Sequence, residues 1–152
     1  MSNEKPVEKH TLDLSTFLVG DTVCGMDILK VQEINKLMEM TTVPQAPDYV
    51  RGILNLRGQI VTVIDLAKKL GLGETEMQPE ARNIIVNSPG EHVGLLVRKI
   101  SDVVPVDPDK IEPPPANMRG IQGQFFSGIY KTDKSLIAIL DVDEILRIAN
   151  KN

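Results

Sequence analysis

The sequence predicts a mainly β protein built by internal duplication, and three observations carry that expectation. Gly25-Met26-Asp27-Ile28-Leu29-Lys30-Val31 recurs 69 residues later as Gly94-Leu95-Leu96-Val97-Arg98-Lys99-Ile100, and the same offset carries Ile34 onto Val103. Gly52-Ile53 recurs at an offset of 76 as Gly128-Ile129. That offset carries Ile60, Val61, Val63, Ile64, Asp65, Leu66 and Leu70 onto Leu136, Ile137, Ile139, Leu140, Asp141, Val142 and Leu146 without a gap. The apolar runs are short, rich in Val, Ile and Leu, and separated by turn residues, as strands with a buried face are. One domain, 11–149, is expected, with a first half at about 17–72, a linker at 73–82 and a second half at about 83–149. Halves of roughly 60–70 residues are near the lower size limit for folding alone, so they should share a core or pack tightly together.

Met1–His10 is charged, contains Pro6 and reads as a disordered tail. Thr11–Val19, Gly20-Asp21 and Thr22–Met26 read as a hairpin with a glycine-led two-residue turn. Ile28–Glu33 reads as a helical turn before an extended segment that reaches Val43-Pro44, with Met38 and Met40 on one strand face and Glu39 on the other. Gly52–Leu56 and Gln59–Ile64 form a second hairpin across Arg57-Gly58, where Gly58 supplies the positive φ of a tight turn. Asp65 caps a short helix, Leu66–Leu70, that Gly71 stops. Asn83–Asn87 and His92–Val97 make a third hairpin, and Phe125–Lys131 and Ser135–Leu140 a fourth. Between them, Pro105–Gly123 holds five of the ten prolines and reads as a long loop. Asp141 caps a last helix, with Glu144 completing a capping box and Val142, Ile145, Leu146 and Ala149 on one face.

Composition narrows the function. Lys plus Arg is 17 against Asp plus Glu 21, a net charge of −4, with five aromatic residues and no Trp. A weakly acidic chain with few stacking rings is a poor nucleic-acid binder. The longest apolar runs are about five residues, far short of the roughly 20 that span a bilayer, and the first ten residues lack a secretory core. One cysteine and two scattered histidines exclude an internal disulfide and a zinc site. A reduced, cytoplasmic setting fits.

The residues that carry chemistry are sparse. One equivalent Asp per half, Asp65 and Asp141, is the layout of an aspartic protease. Those enzymes need Asp-Thr/Ser-Gly, whereas here Asp65-Leu66-Ala67 and Asp141-Val142-Asp143 stand, and helix caps explain both. Cys24 sits in an apolar strand away from His10 and His92, as a buried thiol does. Neither GxxxxGK[ST] nor GxGxxG occurs. Asp107, Asp109 and Glu112 are better read as solvated loop charges than as a calcium site. No cofactor is expected. The most telling polar pair is Glu33 and Arg57, each among apolar neighbours. They are either ordinary surface residues or an ion pair edging an apolar groove, where charge would set a partner's register.

Cys24-Gly25-Met26-Asp27-Ile28-Leu29-Lys30-Val31-Gln32-Glu33-Ile34, then Gly52-Ile53-Leu54-Asn55-Leu56-Arg57-Gly58, then Ile60–Leu66 resemble the CheW family over residues 11–149. CheW-like proteins are coupling proteins of bacterial chemotaxis. The resemblance implies two five-stranded SH3-like or OB-like barrels packed side by side with some strand exchange, and no catalysis. It implies two partners, the cytoplasmic hairpin of a chemoreceptor and the regulatory domain of a CheA-type histidine kinase, beneath membrane receptor arrays in the cytoplasm. By motif position, Val31, Glu33 and Arg57 would line the receptor groove from the first half, and Ile100 and Val103 from the second. Met38, Met40 and Val43 are the candidates for kinase contact. Arg98-Lys99 departs from the acidic residue and Gly of many relatives and would put two positive charges near the groove. A CheW-like scaffold of another two-component pathway would share all these residues, and gene neighbourhood would tell the two apart.

Overall fold

Hairpins set the local structure. The computed structural model describes residues 11–88, 90–118 and 121–149, so the disorder expected of Met1–His10 lies outside the described residues. In chain order the strands are β1 (Leu12–Val19), β2 (Thr22–Asp27), β3 (Val31–Lys36), β4 (Val50–Leu56), β5 (Gln59–Asp65), β6 (Arg82–Ser88), β7 (Glu91–Val97), β8 (Lys99–Val106), β9 (Asn117–Met118), β10 (Ile121–Gln122), β11 (Phe126–Lys131) and β12 (Leu136–Leu140). Helix α1 (Leu66–Lys69) follows β5 and α2 (Val142–Ala149) follows β12.

Ten of the strands make two five-stranded sheets, ordered β11-β12-β2-β1-β8 and β3-β6-β7-β5-β4, and β9 and β10 pair with each other. Each five-stranded sheet draws on both sequence halves. The offset of 69 maps β1, β2 and β3 onto β6, β7 and β8, and the offset of 76 maps β4 and β5 onto β11 and β12. The register obeys the repeat: Phe17 faces Cys24 as Val86 faces Val93, and the parallel pair Ile139–Gly25 repeats Val63–Gly94. The sheets are therefore pseudo-symmetric and have exchanged their first hairpins.

The expected barrels are not continuously closed. One bridge joins the edges of each sheet: Thr41 and Ile53 exchange two bonds of 2.8 Å, and Glu112 and Ile129 two of 2.9 Å. The repeated Gly-Ile pair marks these seams. A Cβ at Gly52 would sit 2.7 Å from the Thr41 carbonyl oxygen, and one at Gly128 2.9 Å from that of Glu112. Only glycine lets the closing segment come that near.

Alternation along the strands builds three clusters. On β12, Ala138 and Leu140 join Ile64 of β5 in a main core that also holds Phe17, Ile84 and Leu95, so it is shared by both sheets. Ile137 and Ile139 turn the other way, into the interior of their own sheet with Leu14 and Val106. Leu54, Val61, Val63, Ile85 and Leu96 fill the other interior. Burial on both faces is why these strands read as unbroken apolar runs.

Some local expectations are corrected. The helical turn covers only Ile28–Lys30, because the Asp27 carboxylate accepts from the Leu29 amide and the chain enters β3 at Val31. Residues 37–40 lie in no strand: the segment leaves its neighbour to close the sheet at Thr41, so Met38 and Met40 do not share a strand face. The Pro-rich stretch is not one loop. Its start belongs to β8, where Pro105 is tolerated on an edge strand, and Glu112 forms the seam. Asp141 caps α2 by accepting from the Glu144 amide at 3.0 Å, but the reciprocal half of the capping box is unmade. The Asp141 amide is taken by the Phe125 carbonyl, and the Glu144 carboxylate by Arg147.

Candidate functional site

Glu33 and Arg57 meet at the mouth of the sheet that contains β3–β5. In a regular strand Val31 and Glu33 would share a face. A bulge between them changes that. Val31 lies opposite Val86 and packs on the main core, while Glu33 lies opposite Ile85, which is buried inside the sheet. Arg57 heads the β4–β5 turn, and both turn residues have left-handed φ, 51° at Arg57 and 85° at Gly58. This is the type I′ geometry that a two-residue hairpin favours, and the Asn55 side chain holds it by accepting from the Gly58 amide at 2.9 Å. The Arg57 guanidinium donates to the Glu33 carboxylate across the open end.

Stability does not account for an arginine there. The Arg57 side chain is 69% exposed and that of Glu33 25%. Such a pair contributes roughly 0–1 kcal/mol, while a non-glycine residue held left-handed costs about 1 kcal/mol or more.

The structure brings Glu33 and Arg57 together but spreads the other expected receptor residues. Val31 and Ile100 are half-buried against the main core from β3 and β8, equivalent edge strands. Val103, opposite Ser15, is 53% exposed. Its repeat mate Ile34 is 40% exposed and was not singled out, although the offset that pairs it with Val103 was visible in the sequence. Leu29, on the β2–β3 connection that crosses from one sheet to the other, is 85% exposed. Of the expected kinase residues, Met38 is exposed, Met40 packs against the Leu54 cluster and Val43 is half-buried. Arg98 is not a free groove charge. It donates to the Gly20 carbonyl at 3.1 Å and the Asp21 carboxylate at 2.9 Å, so it is tied to the β1–β2 turn.

The groups weighed as catalytic have structural employment. Asp65 is 1% exposed and accepts from the Thr75 hydroxyl at 2.6 Å, the Thr75 amide at 2.9 Å, Arg51 at 3.2 Å and the Lys68 amide at 3.4 Å. Asp141 caps α2 on the other sheet. Burial pushes the Cys24 thiol up to about 12, which keeps it protonated at neutral pH. Among the described residues no cluster of His, Cys, Asp and Glu could hold a metal ion, and no helix is long and apolar enough to cross a membrane.

Two hairpin-exchanged sheets on one shared core define a pseudo-symmetric, duplicated β module. Residues 13–150 match the family model described as a CheW-like domain, and the chain belongs to that family. It is 32% identical over 143 residues to the probable chemotaxis protein CheW of Rhizobium etli, covering 93% of this chain and 91% of that one. It is 29% identical over 143 residues to the chemotaxis protein CheW of Treponema pallidum, covering 91% and 84%. The crystal structure of the scaffolding protein TtCheW from Thermoanaerobacter tengcongensis superposes with a TM-score of 0.82 at 35% identity, covering 93% of this chain and 91% of that one.

Proposed function

We propose that this protein is a non-catalytic scaffold of chemotaxis signalling that couples the cytoplasmic hairpin of a chemoreceptor to the regulatory domain of a CheA-type histidine kinase. The observation that carries this function is the CheW-like family match over residues 13–150. The receptor face is centred on Glu33 and Arg57, with Val31, Ile100 and Val103 supplying apolar contact. The kinase face involves Met38, Met40 and Val43 on the segment that closes the sheet of β3–β5. The protein works in the cytoplasm beneath receptor arrays. A scaffold transmits a signal only if its affinity differs between the on and off states of a partner. Apolar contact supplies affinity, and the Glu33–Arg57 rim sets the register.

The test is calorimetric titration of the purified protein with a receptor hairpin fragment and, separately, with the kinase regulatory domain. Both should bind. Arg57→Ala should weaken the receptor complex at least about tenfold, the factor that 1.4 kcal/mol gives, while the unfolding midpoint stays put. Binding of neither partner would overturn the function, and unchanged receptor affinity in Arg57→Ala would overturn the site.

A further inference from the structure

The pseudo-symmetry makes each sheet mouth a control for the other. At one mouth Glu33, opposite Ile85, is met by the chain's own Arg57. At the other, the offset of 69 puts Asp102 in the place of Glu33, and the offset of 76 puts Asp133 in the place of Arg57 and Lys134 in that of Gly58. The placement holds in space. β1 and β8 have the equivalent register shift, and Asp102 stands beside Thr16, whose hydroxyl donates to the Asp102 carbonyl at 2.5 Å. Thr132–Ser135 is the turn at the equivalent position, closed by a 2.8 Å bond from the Thr132 amide to the Ser135 carbonyl, although neither Asp133 nor Lys134 takes the left-handed φ of Arg57 and Gly58.

Two carboxylates cannot close a mouth as a carboxylate and a guanidinium do. Among the described residues, Asp102 is bonded through its backbone carbonyl, and neither the Asp102 nor the Asp133 carboxylate makes a hydrogen bond or ion pair. A cleft of about 400 Å³ opens there instead. Its lining combines apolar Val23, Val104 and Ile137 with Asp102, Asp133 and Lys134. Lys134 balances one carboxylate and leaves one negative charge in excess.

We infer that this open mouth receives an arginine side chain from a protein partner, seated between Asp102 and Asp133 as Arg57 is seated against Glu33 in the other sheet. The methylene stem would lie along Val23, Val104 and Ile137. The planar fork of donors matches two carboxylates better than a point-charge ammonium does. The inference holds whether or not the partners are a receptor and a kinase.

The test is an NMR titration of the isotope-labelled protein with Nα-acetyl-arginine N-methylamide, against the matching citrulline derivative, a neutral near-isostere. The arginine probe should give saturable shifts confined to the amides of 101–104 and 132–135. Citrulline should bind at least about tenfold more weakly, and so should the probe to Asp102→Asn/Asp133→Asn. Asp133→Arg, which removes one carboxylate from the mouth and adds a guanidinium to it, should abolish the shifts. Both positions are exposed, so the variants should keep the native pattern of resonances elsewhere. No saturable shift in the unaltered protein would overturn the inference and point to Lys134 as the group that closes the mouth. Equal shifts with citrulline, or undiminished binding in either variant, would overturn it too.

Discussion

Asp65 and Asp141 occupy the same position in the repeat, yet replacing each by alanine should cost very different amounts. At Asp65 two losses add. The α1 cap, made through the Lys68 amide, contributes about 1 kcal/mol. The Thr75 amide and hydroxyl both lose their acceptor where Thr75 is 4% exposed, and stranding buried donors costs about 1–3 kcal/mol. Arg51 loses one partner but keeps Glu74 at 3.0 Å, so its charge is not stranded. Asp65→Ala should therefore destabilise by about 2–4 kcal/mol. Asp141 is half-exposed and its carboxylate accepts the cap bond from the Glu144 amide, so Asp141→Ala should cost about 1 kcal/mol. Urea unfolding with linear extrapolation reads both values. In a double-mutant cycle, Thr75→Val should cost clearly less once Asp65 is alanine, because the pair is already broken. Equal losses at Asp65 and Asp141, or additive effects at Asp65 and Thr75, would refute the account of Asp65 as the clamp between β5 and the segment before β6.

Asn83 is 0% exposed on β6, and neither polar atom of its side-chain amide has a hydrogen-bond partner among the described residues, whereas the other sheet has Leu14 at the repeat position. Asn83→Leu should stabilise by about 1–3 kcal/mol in thermal or urea unfolding, since it removes a desolvated amide at nearly constant volume; a loss of stability would show that the amide is satisfied. Gly52→Ala should push the Thr41 carbonyl away, at a cost of about 1–3 kcal/mol. Hydrogen exchange checks it directly: the Thr41 and Ile53 amides should lose protection while those of β6 and β7 keep theirs.

Much of this was legible because local rules decide it. The β4–β5 hairpin follows from Arg57-Gly58, the caps from Asp65 and Asp141, and the pseudo-symmetry from two offsets. The ion pair of Glu33 and Arg57 could be suspected from the two residues. Which sheet each hairpin joins could not be read. Periodicity shows that Ala138 and Ile139 face opposite ways, but not that β12 pairs in parallel with β2, a strand more than a hundred residues earlier. Met38 and Met40 misled because alternation was read as a strand, when the segment is bent to reach a single bridge at Thr41. Arg98 misled because a charge was placed by its sequence neighbours, and its partner Asp21 is distant in sequence. Bulges escaped too, and the one beside Glu33 aims that side chain at the mouth.

The repeat also separates what a sheet needs from what an end does. Positions alike in both halves, Gly52 with Gly128 and Asp65 with Asp141, sit at a seam or a cap, where geometry leaves little choice. Positions that differ, Glu33 against Asp102 and Arg57 against Asp133, lie at the mouths, where the fold does not dictate the residue. If the mouths were identical, the module would offer one partner two equivalent sites, and chains bridged through both would grow without closing. Opposite solutions, one mouth closed by its own arginine and one left with two carboxylates, give the ends different charge complements. Discrimination between two partners is a difference of affinities that such a contrast supplies. A scaffold that held two unlike partners at once would need such asymmetry on a symmetric frame, and these four positions are where the two mouths differ in charge.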